Sequence, residues 1–262
     1  MKAPPGYLTR GSGRDQVWLR ADAEAFLARS GLDGVAAALA LPGERRGRVK
    51  SLVVLPDEGA GRVFVKRWHF NRLEVAARAT LKLNYPTFSG LRELWNLVAL
   101  AAQGFRVPEP LAAGRALRGL RCESFVALRE LPGVSLGAGV PVTRTLPRAL
   151  GVLVRRLHAA GFVHRDLYLD NLFLDPELGL GLLDCERVFL CAGTPRRRWR
   201  VKDLAALQAS AGPAWSRTDR LRVLRAYCKL PRLDPAAKRL ARDVARKARR
   251  LTAHGAKGPT AS

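Results

Sequence analysis

The chain is predicted to adopt an α+β fold in two parts, a small β-rich half followed by a mostly helical one. Three features carry that expectation. From residue 48 to residue 131 the apolar residues fall largely in short β-branched runs broken by Pro and Gly. From residue 146 onward they recur at helical spacing. Between two of the helical patterns lies Phe162-Val-His-Arg-Asp-Leu-Tyr-Leu-Asp-Asn-Leu-Phe-Leu174, a polar loop pinned by two short apolar edges, Phe162-Val163 and Leu172-Phe173-Leu174.

In chain order, residues 1–42 read as an N-terminal extension. Residues 1–20 are rich in Gly, Pro and Arg and are expected to form a loose or partly ordered lead-in, followed by a short helix over Asp22–Leu32 that ends at Gly31 or Gly34. Residues 43–131 read as the β-rich lobe. Its first two strands, Arg48–Leu55 and Arg62–Trp68, make a hairpin through Pro56–Gly61. Asn84–Ser89 marks a helix start, and Leu91, Leu94, Leu97, Val98 and Ala101 share one face until Gln103-Gly104. Strands follow at Leu111–Ala116 and Glu123–Leu131. Residues 132–251 read as the helical lobe. Leu146, Leu150, Leu153, Val154 and Leu157 lie on one face of a helix that Gly161 stops. Further helices are expected to open near Asp203 and to span Leu221–Tyr227 and Pro235–Leu251, with residues 252–262 a disordered tail.

The loop spells His164-Arg165-Asp166 with Asn171 five residues after the aspartate, the H-R-D-x-x-x-x-N pattern of a kinase catalytic loop. Phosphoryl transfer needs a carboxylate to accept a hydroxyl proton, which assigns Asp166 as the catalytic base. It also needs hard oxygen ligands for magnesium, for which Asn171 is one candidate. Asp184, closing the apolar run Leu180–Leu183, stands where a kinase places its main metal-binding carboxylate; Glu186 offers a second. Lys66, after Val63-Phe64-Val65, is on a strand that would fix its ammonium over the nucleotide phosphates. Glu93 is its expected partner, with Glu74 the competitor. The strand end Arg129-Glu130-Leu131 would enter a hinge that reads adenine through backbone groups. No G-x-G-x-x-G precedes Lys66, and Gly43-Glu-Arg-Arg-Gly47 is the nearest substitute cover for phosphates. Asp203 is read either as bonding back to the loop backbone or as a helix N-cap. His158 is read as a packing residue. Together these predict a two-lobed protein-kinase-like fold with ATP and Mg2+ as cofactors.

Bulk properties narrow the partners. Among 262 residues, 46 Lys and Arg face 22 Asp and Glu, a net charge of +24. Such a field draws polyanions, although a compositional bias toward arginine would also raise it. No apolar run reaches the ~20 residues of a membrane span, and the start lacks a secretory core. The cytoplasm is therefore the expected compartment. The four cysteines, in no CxxC pair, read as reduced thiols. The last predicted helix carries seven Lys and Arg, from Lys238 to Arg250, against Asp243 alone. It reads either as a face for an anionic surface or as a solvated basic face.

The set Phe64-Val-Lys66, Ser89-Gly-Leu-Arg-Glu93, Gly104-Phe-Arg-Val-Pro108, Glu123-Ser-Phe125, His164-Arg-Asp-Leu-Tyr168, Leu183-Asp-Cys-Glu-Arg187 and Lys202-Asp-Leu-Ala205 resembles the lipopolysaccharide core kinases, the Kdo and heptose kinase family. The resemblance runs from about Val63 to Ser210. It implies ATP-dependent phosphorylation of an inner-core sugar of lipid A–core, with peripheral contact to the anionic inner face of the inner membrane and no specific nucleic acid. Carried over by position, Asp166 is the base, Asn171 and Asp184 hold magnesium, Lys66 binds phosphates and Glu93 orients Lys66. The region before Lys66 departs from the family pattern, and Asn171 follows the general kinase pattern where some heptose kinases carry histidine. An atypical Ser/Thr protein kinase and a catalytically inactive nucleotide-binding module are the alternatives. The short segment Thr194–Arg200, with no Ala-Pro-Glu, leaves little room for a protein-substrate platform. A basic nucleic-acid-binding protein is a third reading, for which no recognised motif appears.

Overall fold

The computed structural model describes residues 3–46, 50–57, 61–71 and 88–255. It divides into two units, residues 1–131 and 132–262. The first comprises β1 (Tyr7–Ser12), β2 (Asp15–Arg20), α1 (Glu24–Arg29), α2 (Val35–Ala40), β3 (Glu44–Arg46), β4 (Lys50–Asp57), β5 (Gly61–Asn71), α3 (Ser89–Ala102), β6 (Pro110–Arg118) and β7 (Arg121–Arg129). Its strands form one antiparallel sheet in the order β1-β2-β6-β7-β5-β4-β3.

Alternation along β5 assigns the two faces of this sheet. Val63 and Val65 point into a core with Val17, Leu19, Leu27, Val35, Leu111 and Phe125. Each such fully buried aliphatic contributes about 1.5–3 kcal/mol. Lys66, one residue past Val65 and so of opposite phase, points the other way, in register with Leu52 on β4 and Val126 on β7. The lysine therefore rises from the middle of a sheet whose opposite face is sealed by core. Helix α3 lies on the lysine's side. A Cβ on Gly90 would come within 2.3 Å of the Phe125 carbonyl oxygen, so the first turn of α3 sits directly on the β7 backbone.

The lead-in, expected to be loose or partly ordered, is more ordered than that. Residues 7–20 fold as the β1–β2 hairpin, and β2 pairs with β6 over Asp15–Leu19. The reason is burial: Val17, Trp18 and Leu19 are all buried, and α1 and α2 cover the core face of the sheet behind them. Residues 7–40 thus pack within the first unit through the β1–β2 hairpin, α1 and α2. The expected helix over Asp22–Leu32 is shorter, and Gly31 ends it in the left-handed region with φ +67°.

The second unit holds β8 (Val134–Ser135), α4 (Leu146–Ala159), β9 (Phe162–Val163), β10 (Leu172–Asp175), β11 (Gly179–Leu182), β12 (Phe189–Leu190), α5 (Arg197–Ser210), α6 (Arg217–Cys228) and α7 (Pro235–Gly255). Leu150, Val154 and Leu157 of α4 are fully buried. Ser216 caps α6 through a reciprocal bond set with Asp219, a capping box absent from the sequence reading. Helix α7 continues to Gly255, so residues 252–255 belong to a helix and not to a tail; residues 256–262 lie outside the described residues. Among the described residues no helix is long and apolar enough to cross a membrane. One sheet-dominated unit and one helix-dominated unit make the two-lobed, kinase-like α+β fold.

Candidate active site

The first unit supplies an ion pair. Lys66 Nζ donates to Glu93 Oε1 at 2.7 Å, with Glu93 fully buried and the Lys66 side chain 26% exposed. A carboxylate out of water needs a cation or several donors, so the pairing follows from where α3 is seated. The close approach at Gly90 brings Glu93, three residues on, over the centre of β5. The competing Glu74 lies outside the described residues. Of the strand-end residues, Arg129 bonds Asp57 at 2.8 Å and pairs with Glu109, while Glu130 pairs with Arg62, whose guanidinium holds its carboxyl below the usual range. The Arg129 and Glu130 N–H groups donate to the carbonyls of Glu109 and Arg62. Both N–H groups are therefore engaged within the first unit. Leu131 is buried.

In the expected phosphate cover, Glu44–Arg46 is an edge strand. Its register with Ser51 and Arg67 turns Arg45 to the face away from Lys66; Gly47 lies outside the described residues. Arg67 itself is buried and binds the carbonyls of Ala38, Leu39 and Leu41, closing the C-terminal end of α2.

The second unit supplies a loop fastened by its backbone. Asp203, fully buried on α5, accepts the N–H groups of His164 and Arg165, both at 2.8 Å. This is the backward bond anticipated for Asp203. The N-cap alternative is corrected, because α5 starts at Arg197 and Asp203 lies well inside it. His158 Nε2 donates to the same carboxylate at 3.2 Å, and its Nδ1 accepts the Tyr227 hydroxyl at 2.9 Å. Burial pushes that phenol up to about 12, which keeps it a donor. His158 is thus a packing residue that also braces Asp203.

Between these fasteners the loop is strained where it turns. Arg165 has φ +74° and Asp184 φ +52°, both left-handed and costly for residues with a Cβ. His164 is completely buried, and burial lowers its pKa, so the ring is neutral. Its Nε2–H donates to the Leu183 carbonyl at 3.0 Å. Leu183 N–H in turn donates to the Asn171 carbonyl at 2.9 Å. Asn171 Nδ2 donates to the Asp166 carbonyl at 2.9 Å. Asp166, Asn171 and the residue before Asp184 are therefore one hydrogen-bonded unit.

With its amide nitrogen bonded to the Asp166 carbonyl, Asn171 has Oδ1 as its candidate oxygen ligand. Asp184 and Glu186 present carboxylate oxygens within 4.8 Å of each other. These are hard oxygen donors, a set that fits magnesium.

The sequence reading missed what the Asp166 carboxylate touches. Arg187 Nη1 donates to both of its oxygens, at 2.9 and 2.8 Å. A single turn over Cys185–Arg187 carries that guanidinium back from the metal-site strand, and the three-residue spacing from Asp184 was the available signal. Lys202 lies nearby, its pKa lowered first by burial and then by Arg187.

The profile of the lipopolysaccharide kinase (Kdo/WaaP) family matches residues 43–227. The chain belongs to that family. It is similar to the lipopolysaccharide core heptose(I) kinase WaaP of Escherichia coli, 29% identical over 216 residues covering 74% of this chain and 81% of that protein. It is also similar to 3-deoxy-D-manno-octulosonic acid kinases. That of Xylella fastidiosa is 32% identical over 114 residues, 42% of this chain and 45% of that protein. That of Xanthomonas axonopodis is 36% identical over 107 residues, 40% of this chain and 42% of that protein. As a Kdo/WaaP-family kinase the chain is a phosphotransferase. The match spans Lys66, Glu93, the Asp166 loop, Asp184 and Asp203, and reaches twenty residues further upstream than the motifs did. The β1–β2 hairpin, α1, α2 and α7 lie outside it.

Proposed function

We propose that this kinase transfers the γ-phosphoryl group of ATP to a hydroxyl of an inner-core sugar, heptose or Kdo, of lipid A–core, working as a peripheral protein at the cytoplasmic face of the inner membrane. The observation that supports this most is the loop in which Asp203 holds the backbone of His164 and Arg165 and thereby presents Asp166. In this reading Asp166 accepts the acceptor hydroxyl's proton as the sugar oxygen bonds to phosphorus and the bond to the leaving phosphate oxygen breaks. Lys66 holds nucleotide phosphates, with Glu93 fixing the direction of its ammonium. The strand end Arg129-Glu130-Leu131 borders the adenine. Asn171 and Asp184, with Glu186 beside them, would hold magnesium, whose charge would offset the negative charge developing on the transferred phosphate. Arg187 fixes the Asp166 carboxylate before the acceptor arrives.

Heptose and Kdo acceptors stand in the names of the relatives, and the net charge of +24 suits a substrate decorated with phosphates and carboxylates. The test is ATP turnover with magnesium on dephosphorylated lipid A–core, on Kdo-only and heptose-bearing forms, and on a generic protein substrate. Asp166→Asn should lower kcat about 10²–10⁴-fold without changing the fold. Phosphorylation of protein but of neither glycolipid, or an Asp166 variant with wild-type turnover, would overturn the reading.

A further inference from the structure

We propose that the outer face of α4 and α6 is a docking groove for the phosphate headgroups of an anionic bilayer. The inference rests on the reading above that the acceptor is lipid-borne, and it names the surface that brings the enzyme to it.

The groove has a volume of about 690 Å³, and its lining includes Arg144, Arg148, Arg155, Arg222, Arg225 and Lys229, with no acidic side chain among the described residues that line it. Helical spacing produces this. Arg148 and Arg155 are seven residues apart on α4, Arg144 precedes Arg148 by four, and Arg222, Arg225 and Lys229 recur at three and four along α6 and its cap. The two stripes are brought side by side by Gly151, where a Cβ would meet the Val223 carbonyl at 2.3 Å, so the helices touch backbone to backbone. Arg155 reinforces the seam by donating to the Ala226 carbonyl at 2.9 Å. Arg222 pairs with Asp219 at 2.8 Å. Arg144, Arg148, Arg225 and Lys229 are exposed and face no carboxylate among the described residues.

Like charges at helical spacing repel, so this arrangement opposes folding and is favourable only against an anion. On α4 the stripe from Arg148 to Arg155 alone is about 10 Å long at 1.5 Å per residue, longer than a single phosphate. Two features favour a bilayer over nucleic acid. No aromatic ring lines the groove for base stacking. Aliphatic Val152, Leu230 and Pro231 line the groove together with the cations. Such side chains can enter the headgroup layer while the cations meet its phosphates.

The experiment is flotation of the full chain with phosphatidylcholine vesicles, with and without phosphatidylglycerol, across a salt series. Wild type should float only with the anionic lipid and lose binding as salt rises. Each cation near such a surface is worth about a fivefold factor in partitioning, so Arg148→Gln/Arg225→Gln should lose roughly 25-fold. Arg148→Glu/Arg225→Glu should lose more, with the neutral pair guarding against a folding artefact of charge reversal. Arg239→Gln/Arg249→Gln, on exposed positions of α7, is the competing surface and should change flotation less.

Turnover separates this from the kinase reading. The groove pair should keep wild-type turnover on detergent-dispersed lipid A–core and lose it on vesicle-embedded acceptor. Flotation that ignores lipid charge, or that follows α7 and not the groove, overturns the proposal. So does a groove variant that loses RNA binding while floating normally. Normal anionic flotation with no turnover on any acceptor would sink the kinase reading and leave the groove standing.

Discussion

Lys66 is directed by a side-chain ion pair with Glu93, whereas the loop that carries Asp166 is bonded along its backbone to Asp203, Leu183 and Ser210. The first arrangement is adjustable: a flexible ammonium, a quarter exposed, meets one buried carboxylate. The second is overdetermined, which is what allows Arg165 and Asp184 to stay in left-handed conformations. Under the proposed function, a lysine that follows a mobile phosphate tail can be held by a side chain, whereas a carboxylate that meets one proton needs a fixed backbone.

The largest effect should come from the point on which the second arrangement hangs. Asp203→Asn removes a charged acceptor from two backbone N–H groups and from His158. Leaving such donors unsatisfied costs about 1–3 kcal/mol each. We expect unfolding by denaturant to show a loss of about 3 kcal/mol, and kcat to fall about 100-fold as Asp166 moves out of position. A stable Asp203→Asn protein with unaltered kcat would show that the loop holds itself.

The Lys66–Glu93 pair should respond asymmetrically. Lys66→Met takes this cation from a carboxylate with no solvent exposure, at a cost of about 3 kcal/mol. Glu93→Gln leaves a lysine that can turn to water, at about 1 kcal/mol. Both should lower kcat/KM for ATP about 100-fold by misplacing the phosphate contact. Equal stability losses would mean that Glu93 is hydrated in solution and the pair is not a buried one.

A pH effect separates the two regions further. His164 has a folded pKa below its ordinary 6.5 because of burial. The unfolded chain therefore binds a proton that the folded one refuses. Stability is fully present above 6.5 and falls as pH drops below it, by at most about 1.4 kcal/mol per pH unit from this group. Thermal unfolding from neutral pH to about pH 5 should show that slope, and His164→Gln should flatten it. An unchanged slope in the variant would place the proton elsewhere.

How far the chain could be read from its residues follows the range of the interactions. The Asp166 loop was legible because His164, Asp166 and Asn171 are local to one another, and the apolar edges that became β9 and β10 flank them directly. Lys66 and Glu93 were legible as a strand lysine and a helix acid, although only the close approach at Gly90 makes them meet. The β1–β2 hairpin was not, because a Gly- and Arg-rich stretch hides three consecutive buried residues, Val17, Trp18 and Leu19, whose partners on β6 are nearly a hundred residues away. Asp203 was expected to reach back to the loop, but not from inside a helix that begins at Arg197, since six residues with three arginines and a lysine give little apolar periodicity.

The smallest structural effect, and the one that tests whether the catalytic loop is complete as it stands, is at Arg187. Its side chain is 40% exposed and that of Asp166 22%, so Arg187→Ala should change stability by less than about 1 kcal/mol. Its kinetic effect should be larger than its structural one. Both Asp166 oxygens take their bonds from a single Nη1, so the variant frees the carboxylate to rotate. We expect kcat to fall about tenfold, the equivalent of one ordinary hydrogen bond, with KM for ATP unchanged and part of the loss restored in Arg187→Lys. A rise in kcat would instead mean that the guanidinium masks the base, and that the acceptor must displace it before Asp166 can take the hydroxyl proton.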